Sequence, residues 1–291
     1  MLVSMKEILK DARNNHYAIG SYNCPNFETA QAVVRAGEHL KVPVILNHGE
    51  GHESVTALED IAPVLLMLAQ KAKTPVCVHI DHGMTRPFLM RAIRNGFTSI
   101  MYDCSMFSFE ENMQKTKAFV DEVHPLGISV EAELGSMLYN IPNYAGNDSD
   151  EVLDHLEETF TDPEAAGKFA AYTGVDALTI SFGSLHGAYK RPPKLDIDLL
   201  DKIRAACGDC SLVMHGASGI DMALVKRAVR HGIQKINYYT AIATAPAPHI
   251  AKMIEKSNGE VVFFHDISKL AAEIMYEEVC AVAEAMANPT P

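Results

Sequence analysis

The chain has 291 residues, 48% of them hydrophobic and 21% charged, an ordinary globular balance that can bury a core in one large α/β domain or two modest ones. Subtracting 37 acidic from 25 basic residues leaves a formal charge of −12 with no basic stripe, so nucleic acids and anionic membranes are excluded as partners. Apolar stretches such as 61–68 (IAPVLLML) fall far short of the ~20 residues of a membrane span. The N-terminus is charged too early for a signal peptide, so a cytoplasmic protein with reduced thiols is expected.

A β-branched run followed by a helix-period run recurs along the chain. The predicted strands are 17–23, 42–48, 75–81, 99–103, 127–133, 176–182, 211–215 and 234–237. Several are apolar at nearly every position, the mark of parallel strands covered on both faces. Between them, Asn26 is placed to cap a helix over 27–40, and Ser108 with Glu111 forms a capping box ahead of 112–123. Asp162 and Pro163 open a further helix. Gly37, Gly96, Gly174 and Gly232 sit near helix ends, where a residue able to adopt positive φ is wanted. No linker divides the chain, so one domain over 1–291 is predicted, with a mobile loop near 136–163 and a C-terminal helical extension. Eight strand-helix units over about 250 residues predict a (β/α)₈ TIM barrel. An open doubly wound sheet is the alternative, but no strand runs into a GxGxxG turn.

In such a barrel the active site is built at the C-terminal strand ends. Those positions read Asn23, His48, Asp81-His82-Gly83, Asp103, Glu133, His186-Gly187, His215-Gly216-Ala217-Ser218-Gly219, Asn237 and Thr240. There are 13 histidines, and most are ordinary surface or core residues. His79 falls inside an apolar strand and is expected to be a hydrogen-bonded barrel residue. His82, His186 and His215 differ because each stands at or just past the end of a predicted strand and precedes a glycine, and three imidazoles with an open position suit a catalytic Zn²⁺. Asp81 beside them can act as a general acid/base. Asp103 and Glu133, also strand-end carboxylates, suit either contacts that orient the metal ligands or an alternative position for a second divalent or monovalent cation. The loops after the last three strands, with Ser218, Thr240 and Lys190, can cradle a phosphate.

The motifs VHIDHG, VEAELG, GSLHGAYK, MHGASGI and KINYYT, in that order on successive strand ends, resemble the class II fructose-bisphosphate and tagatose-bisphosphate aldolase family. The resemblance implies a zinc-dependent lyase that reversibly joins dihydroxyacetone phosphate to an aldehyde, working as a homo-oligomer, dimer or tetramer, on a sugar phosphate. It makes His82, His186 and His215 the zinc ligands and Asp81 the acid/base for the hydroxyl on the carbon derived from the aldehyde. Asp103 and Glu133 match the other metal position, while Gly187, Gly216, Ala217, Ser218, Asn237 and Thr240 match the dihydroxyacetone phosphate loops.

Three departures stand out. The loop 136–163 lacks the family's GG-acidic motif, leaving Asp148, Asp150 or Glu151 as substitutes for its glutamate. Tyr239 stands where the family has Asp or Asn. Gly49 replaces a serine, and an ungapped count places His265 at an arginine, both of which hold the distal phosphate; an aldehyde without phosphate, smaller and hydroxylated or carboxylated and contacted by His48 and His52, is therefore expected. Two other functions compete. A zinc hydrolase of amidohydrolase type would want an HxH pair on the first strand, and 17–23 has none. A non-catalytic metal-binding barrel would not need Asp81 beside all three histidines.

Overall fold

The structure is a computed structural model that describes residues 1–135, 139–140, 156–187, 189 and 193–288. Its strands are β1 (Ile19–Asn23), β2 (Val44–Gly49), β3 (Val76–Gly83), β4 (Ser99–Tyr102), β5 (Ser129–Leu134), β6 (Tyr139–Asn140), β7 (Ala177–Ile180), β8 (His186–Gly187), β9 (Ser211–Met214) and β10 (Ile233–Asn237). Eight of them close a parallel barrel in the order β1-β10-β9-β7-β5-β4-β3-β2, and β6 pairs with β8 outside it. Each barrel strand is followed by a helix, and the eight predicted strands are the eight barrel strands. Among the described residues no helix is long and apolar enough to cross a membrane.

Side-chain alternation sorts the strand residues into an outer face, packed on the helices, and an inner face that stacks in layers. At the N-terminal end Ile19, Ile45, Cys77, Ala177 and Val213 meet Met5, Ile8, Leu9 and Ala12 of the helix Met5–Asn15, which plugs the barrel. That helix carries a full capping box between Ser4 and Glu7. Two residues further along the strands the inner layer is polar yet buried: Ser21, Asn47, His79, Ser99, Glu131, Thr179 and Lys235. Buried polar groups persist only when paired, and Ser21 donates to Asn47 (2.8 Å) while Thr179 donates to Glu131 (2.8 Å). His79, as expected of a barrel histidine, meets the Ser99 hydroxyl at 2.7 Å. One more step along the strands reaches the mouth.

The local signals fare unevenly. Asn26 and Asp162 accept from the backbone N–H groups of Thr29 and Ala165, as expected of N-caps. Ser108 accepts from Glu111 N–H, the predicted half of its capping box. Gly96, Gly174 and Gly232 have positive φ, but Gly37 lies inside the helix Phe27–Leu40, and Lys41 takes the left-handed position instead. Gly37 is needed for packing, since a Cβ there would lie 3.0 Å from Val44. The C-terminal helix Phe264–Ala287 packs on Phe27–Leu40, burying Met275, Val279, Val282 and Met286 and so completing the helical ring. An exposed bidentate pair between Arg35 and Glu273 (2.7 and 3.1 Å) adds little beside that burial.

Candidate metal centre and active site

Neighbouring residues of a regular strand point to opposite faces, yet Asp81 and His82 both serve the mouth. The backbone explains it: His82 has φ +43°, and the pairing of β3 with β4 shifts register between Ile80 and Gly83. A left-handed non-glycine residue costs of order 1–3 kcal/mol and persists where surrounding contacts enforce it. Here the contact is Asp103, whose Oδ2 lies 2.8 Å from His82 Nδ1.

The three predicted histidines converge. His82 Nε2 lies 3.2 Å from His186 Nε2 and 3.0 Å from His215 Nδ1. Nitrogens bound to one tetrahedral Zn²⁺ at about 2.0–2.1 Å stand roughly 3.3 Å apart, so the spacing fits that ion. The far sides of two rings are anchored as metal-binding imidazoles usually are. His215 Nε2–H donates to Glu131 (3.1 Å), which leaves Nδ1 bare toward the cluster, and His82 Nδ1–H faces Asp103. Burial disfavours charge on His82, but Asp81, the Asp103 hydrogen bond and Glu133 outweigh it and raise its pKa to about 10. A pocket that negative wants a cation, and a divalent ion at the three nitrogens would take the place of the proton. Burial instead lowers His215 and His186. His82, Asp103 and Glu133 form a second group whose ligand atoms all lie within 4.8 Å. In that group Asp103 also accepts from the Ser105 N–H (3.0 Å) and hydroxyl (2.7 Å).

Asp81 is 6% exposed and clamped from two strands: Asn23 Nδ2 donates to one carboxylate oxygen (2.9 Å) and Asn237 Nδ2 to the other (2.8 Å). Burial alone would raise its pKa, but the positive charge of His82 and Lys235 and the Asn23 hydrogen bond hold it well below the usual carboxylate range. Asn237, expected among the substrate contacts, and Asn23, a strand-end candidate, thus fix the proton-transfer group.

The phosphate-loop candidates gather on one side of the mouth. Gly187 and Gly216 have φ +98° and +70°, and a Cβ at Gly216 would fall 2.0 Å from the Leu185 carbonyl oxygen, so only glycine fits. The Tyr189 hydroxyl accepts from Leu185 N–H (2.7 Å) and donates to the Gly216 carbonyl (2.7 Å), pinning the two loops together. Ser218 Oγ accepts from the N–H groups of Tyr239 and Ala241, and Ala217 N–H donates to the Asn237 carbonyl. Thr240 opens the short helix Thr240–Thr244. Lys190, Asp148, Asp150 and Glu151, with most of the predicted lid, lie outside the described residues.

Two expectations for the distal half change. His48 shares the outer face of β2 with Leu46 and so points away from the cavity. Burial and its neighbour His52 push it down to about 4. His265 is 77% exposed, its ring stacked on Phe263 at 5.2 Å.

Sequence reasoning missed Glu131 and Lys235. Each interrupts an apolar strand at an inward position, VEAEL and QKIN, which is the signal that could have found them. Lys235 Nζ donates to Glu131 (2.8 Å) and to Asn237 Oδ1 (2.8 Å), linking the His215 anchor to the Asp81 clamp with no solvent exposure. Removing one partner of a buried pair leaves an uncompensated charge. Lys235→Met should therefore lower unfolding free energy by about 3–5 kcal/mol, and Lys235→Met with Glu131→Gln should recover much of it in denaturant titrations.

Fold and site together define a class: a (β/α)₈-barrel enzyme with a three-histidine cluster, fit for a metal, and a buried carboxylate at its C-terminal strand ends. The family described as fructose-bisphosphate aldolase class-II matches residues 3–288, and the chain belongs to it, a carbon–carbon lyase. It is 38% identical over 284 residues to the uncharacterized protein YdjI of Escherichia coli K12, covering 96% of each chain. A crystal structure described as the YdjI aldolase superposes with TM-score 0.84 at 34% identity, covering 98% of this chain and 97% of that one. The fructose-bisphosphate aldolase of Staphylococcus aureus Mu50 is 39% identical over 251 residues, 84% of each chain. A putative fructose-1,6-biphosphate aldolase from Coccidioides immitis superposes with TM-score 0.83 at 27% identity, covering 97% and 95%.

Proposed function

We propose that the protein reversibly cleaves a ketose 1-phosphate to dihydroxyacetone phosphate and an aldehyde that carries no phosphate, as a cytoplasmic homo-oligomer. His82, His186 and His215 would hold Zn²⁺, with Asp103 and Glu133 able to serve a second cation position. The observation that carries this reading is the approach of three ring nitrogens, 3.0 and 3.2 Å apart, beside a carboxylate clamped by two asparagines. When bound, Zn²⁺ supplies Lewis acidity for the charge that develops on the ketone oxygen.

The chain's own groups do the rest. Asp81, ionised at neutral pH, takes the proton from the hydroxyl on the carbon that becomes the aldehyde, and the adjoining C–C bond breaks as that carbonyl forms. In condensation the same proton returns. Asn23 and Asn237 orient both carboxylate oxygens, so little reorganisation is needed at the moment of transfer. Gly187, Gly216, Ala217, Ser218, Asn237 and Thr240 would border the phosphate, with the Ser218 O–H still free to donate although its oxygen accepts from two backbone groups. Lys190 would add its charge. A carboxylate of Asp148, Asp150 or Glu151 would serve the proton at the dihydroxyacetone phosphate carbon.

The distal end favours an unphosphorylated aldehyde because Gly49 offers a phosphate dianion no hydroxyl. The test is to compare kcat/KM for fructose 1,6-bisphosphate with that for ketose 1-phosphates. The 1-phosphates should be preferred; a clear preference for the bisphosphate defeats this part of the proposal.

A further inference from the structure

The inward position at the end of β2 is a glycine. The alternation that turns Ile45 and Asn47 into the barrel carries Gly49 to the mouth, in register with Asp81. A Cβ at Gly49 would lie 3.0 Å from the Asp81 carbonyl oxygen and 3.3 Å from Nδ1 of His52. The space a side chain at 49 would enter is therefore bordered by an imidazole delivered from the next turn, Glu50–His52. Tyr239, from the loop after β10, holds that ring edge-on, with centroids 5.3 Å apart and planes at 77°. Two residues from opposite ends of the chain thus build one wall beside Asp81.

His52 Nδ1 is buried and has no hydrogen-bond partner among the described residues. A buried polar atom left unmet at the edge of an active site needs a partner, and a ligand atom can supply it. Its neighbours limit what that ligand can be. Gly49 brings no side chain, Tyr239 brings an aromatic ring, and the charge that reaches His52 is the negative one of Asp81. An incoming carboxylate or phosphate would be repelled by Asp81 and would find no fixed cation on this wall. Burial also holds the His52 imidazole below its ordinary range, so near neutral pH it carries one N–H and one bare nitrogen. A hydroxyl group, which both donates and accepts, is the complement of that ring.

We infer that His52 is a specificity-determining residue whose Nδ1 hydrogen-bonds a neutral hydroxyl of the aldehyde half, on the carbon next to the one whose oxygen Asp81 serves. The inference rests on the aldolase reading and narrows it to polyhydroxylated, uncharged aldehydes. Gly49 is part of the arrangement, because a side chain there would crowd the imidazole.

The experiment is condensation of dihydroxyacetone phosphate with glyceraldehyde and with propanal, which has the same carbon number and no hydroxyl. A site built to bond a hydroxyl discriminates strongly against an analogue that lacks it. Wild type should favour glyceraldehyde, and His52→Ala should cut that preference in kcat/KM by roughly tenfold or more, mostly through glyceraldehyde. His52→Asn, which keeps a short donor and acceptor, should restore part of it. Equal loss on both aldehydes would make His52 a structural support, and an unchanged ratio would mean that it touches no hydroxyl; either overturns the inference. Proton exchange on dihydroxyacetone phosphate alone, followed in wild type, tests the aldolase reading separately because no aldehyde takes part. Its absence removes that reading and the inference with it.

Discussion

Asp81→Asn is expected to slow ketose phosphate cleavage by roughly 10²–10⁴-fold, the usual scale for loss of a positioned general acid/base. Asparagine nearly preserves shape, but it cannot take a proton, and its amide nitrogen would face the Nδ2 donor of Asn23 or Asn237 where an oxygen now accepts. The variant therefore loses the base and part of its orientation together. Metal content, measured by elemental analysis of purified protein, should survive because the three converging nitrogens belong to other residues. Exchange of the dihydroxyacetone phosphate proton should fall less, since another group serves that carbon. If cleavage and exchange fall equally, Asp81 supports the site without transferring the proton.

The barrel was legible because its strands advertise themselves. Runs such as VPVIL and PVCV are apolar at successive positions only when both faces are covered, and that requirement comes from topology that recurs along the whole chain. The three histidines were legible for a related reason: the strand ends are countable, and in this fold they converge. The details that fell outside sequence reasoning are set by contacts between distant segments. The positive φ of His82 depends on Asp103, 21 residues away, and is what lets adjacent residues share the mouth. Lys41 takes the helix end predicted for Gly37 because the packing of Gly37 on Val44 outweighs its conformational freedom. Glu131 and Lys235 find each other across 104 residues, a pairing that no local pattern encodes. His48 and His52 are four residues apart and look alike in sequence, yet pleating turns one outward while the turn after β2 brings the other to the mouth.

The same layering explains why the metal site should be separable from the fold, which His186→Ala tests most sharply. His186 comes from the short strand β8, outside the barrel sheet, and approaches His82 Nε2 from that side at 3.2 Å. Removing its ring leaves two of the three nitrogens. Outer partners of metal ligands are worth roughly 10–100-fold in affinity, so loss of a ligand should cost more than that and should abolish turnover at ordinary metal concentrations. The barrel should stay folded, because its apolar N-terminal layer and the packing of its helices lie away from the mouth, and the Glu131–Lys235 pair in the polar layer below the site forms independently of any ion. Circular dichroism and thermal unfolding of metal-free wild type and of His186→Ala should accordingly resemble each other, and chelation of wild type should reproduce the variant's inactivity. Full metal content with full turnover in His186→Ala would remove His186 from the ligand set and return the question to the second group, His82 with Asp103 and Glu133.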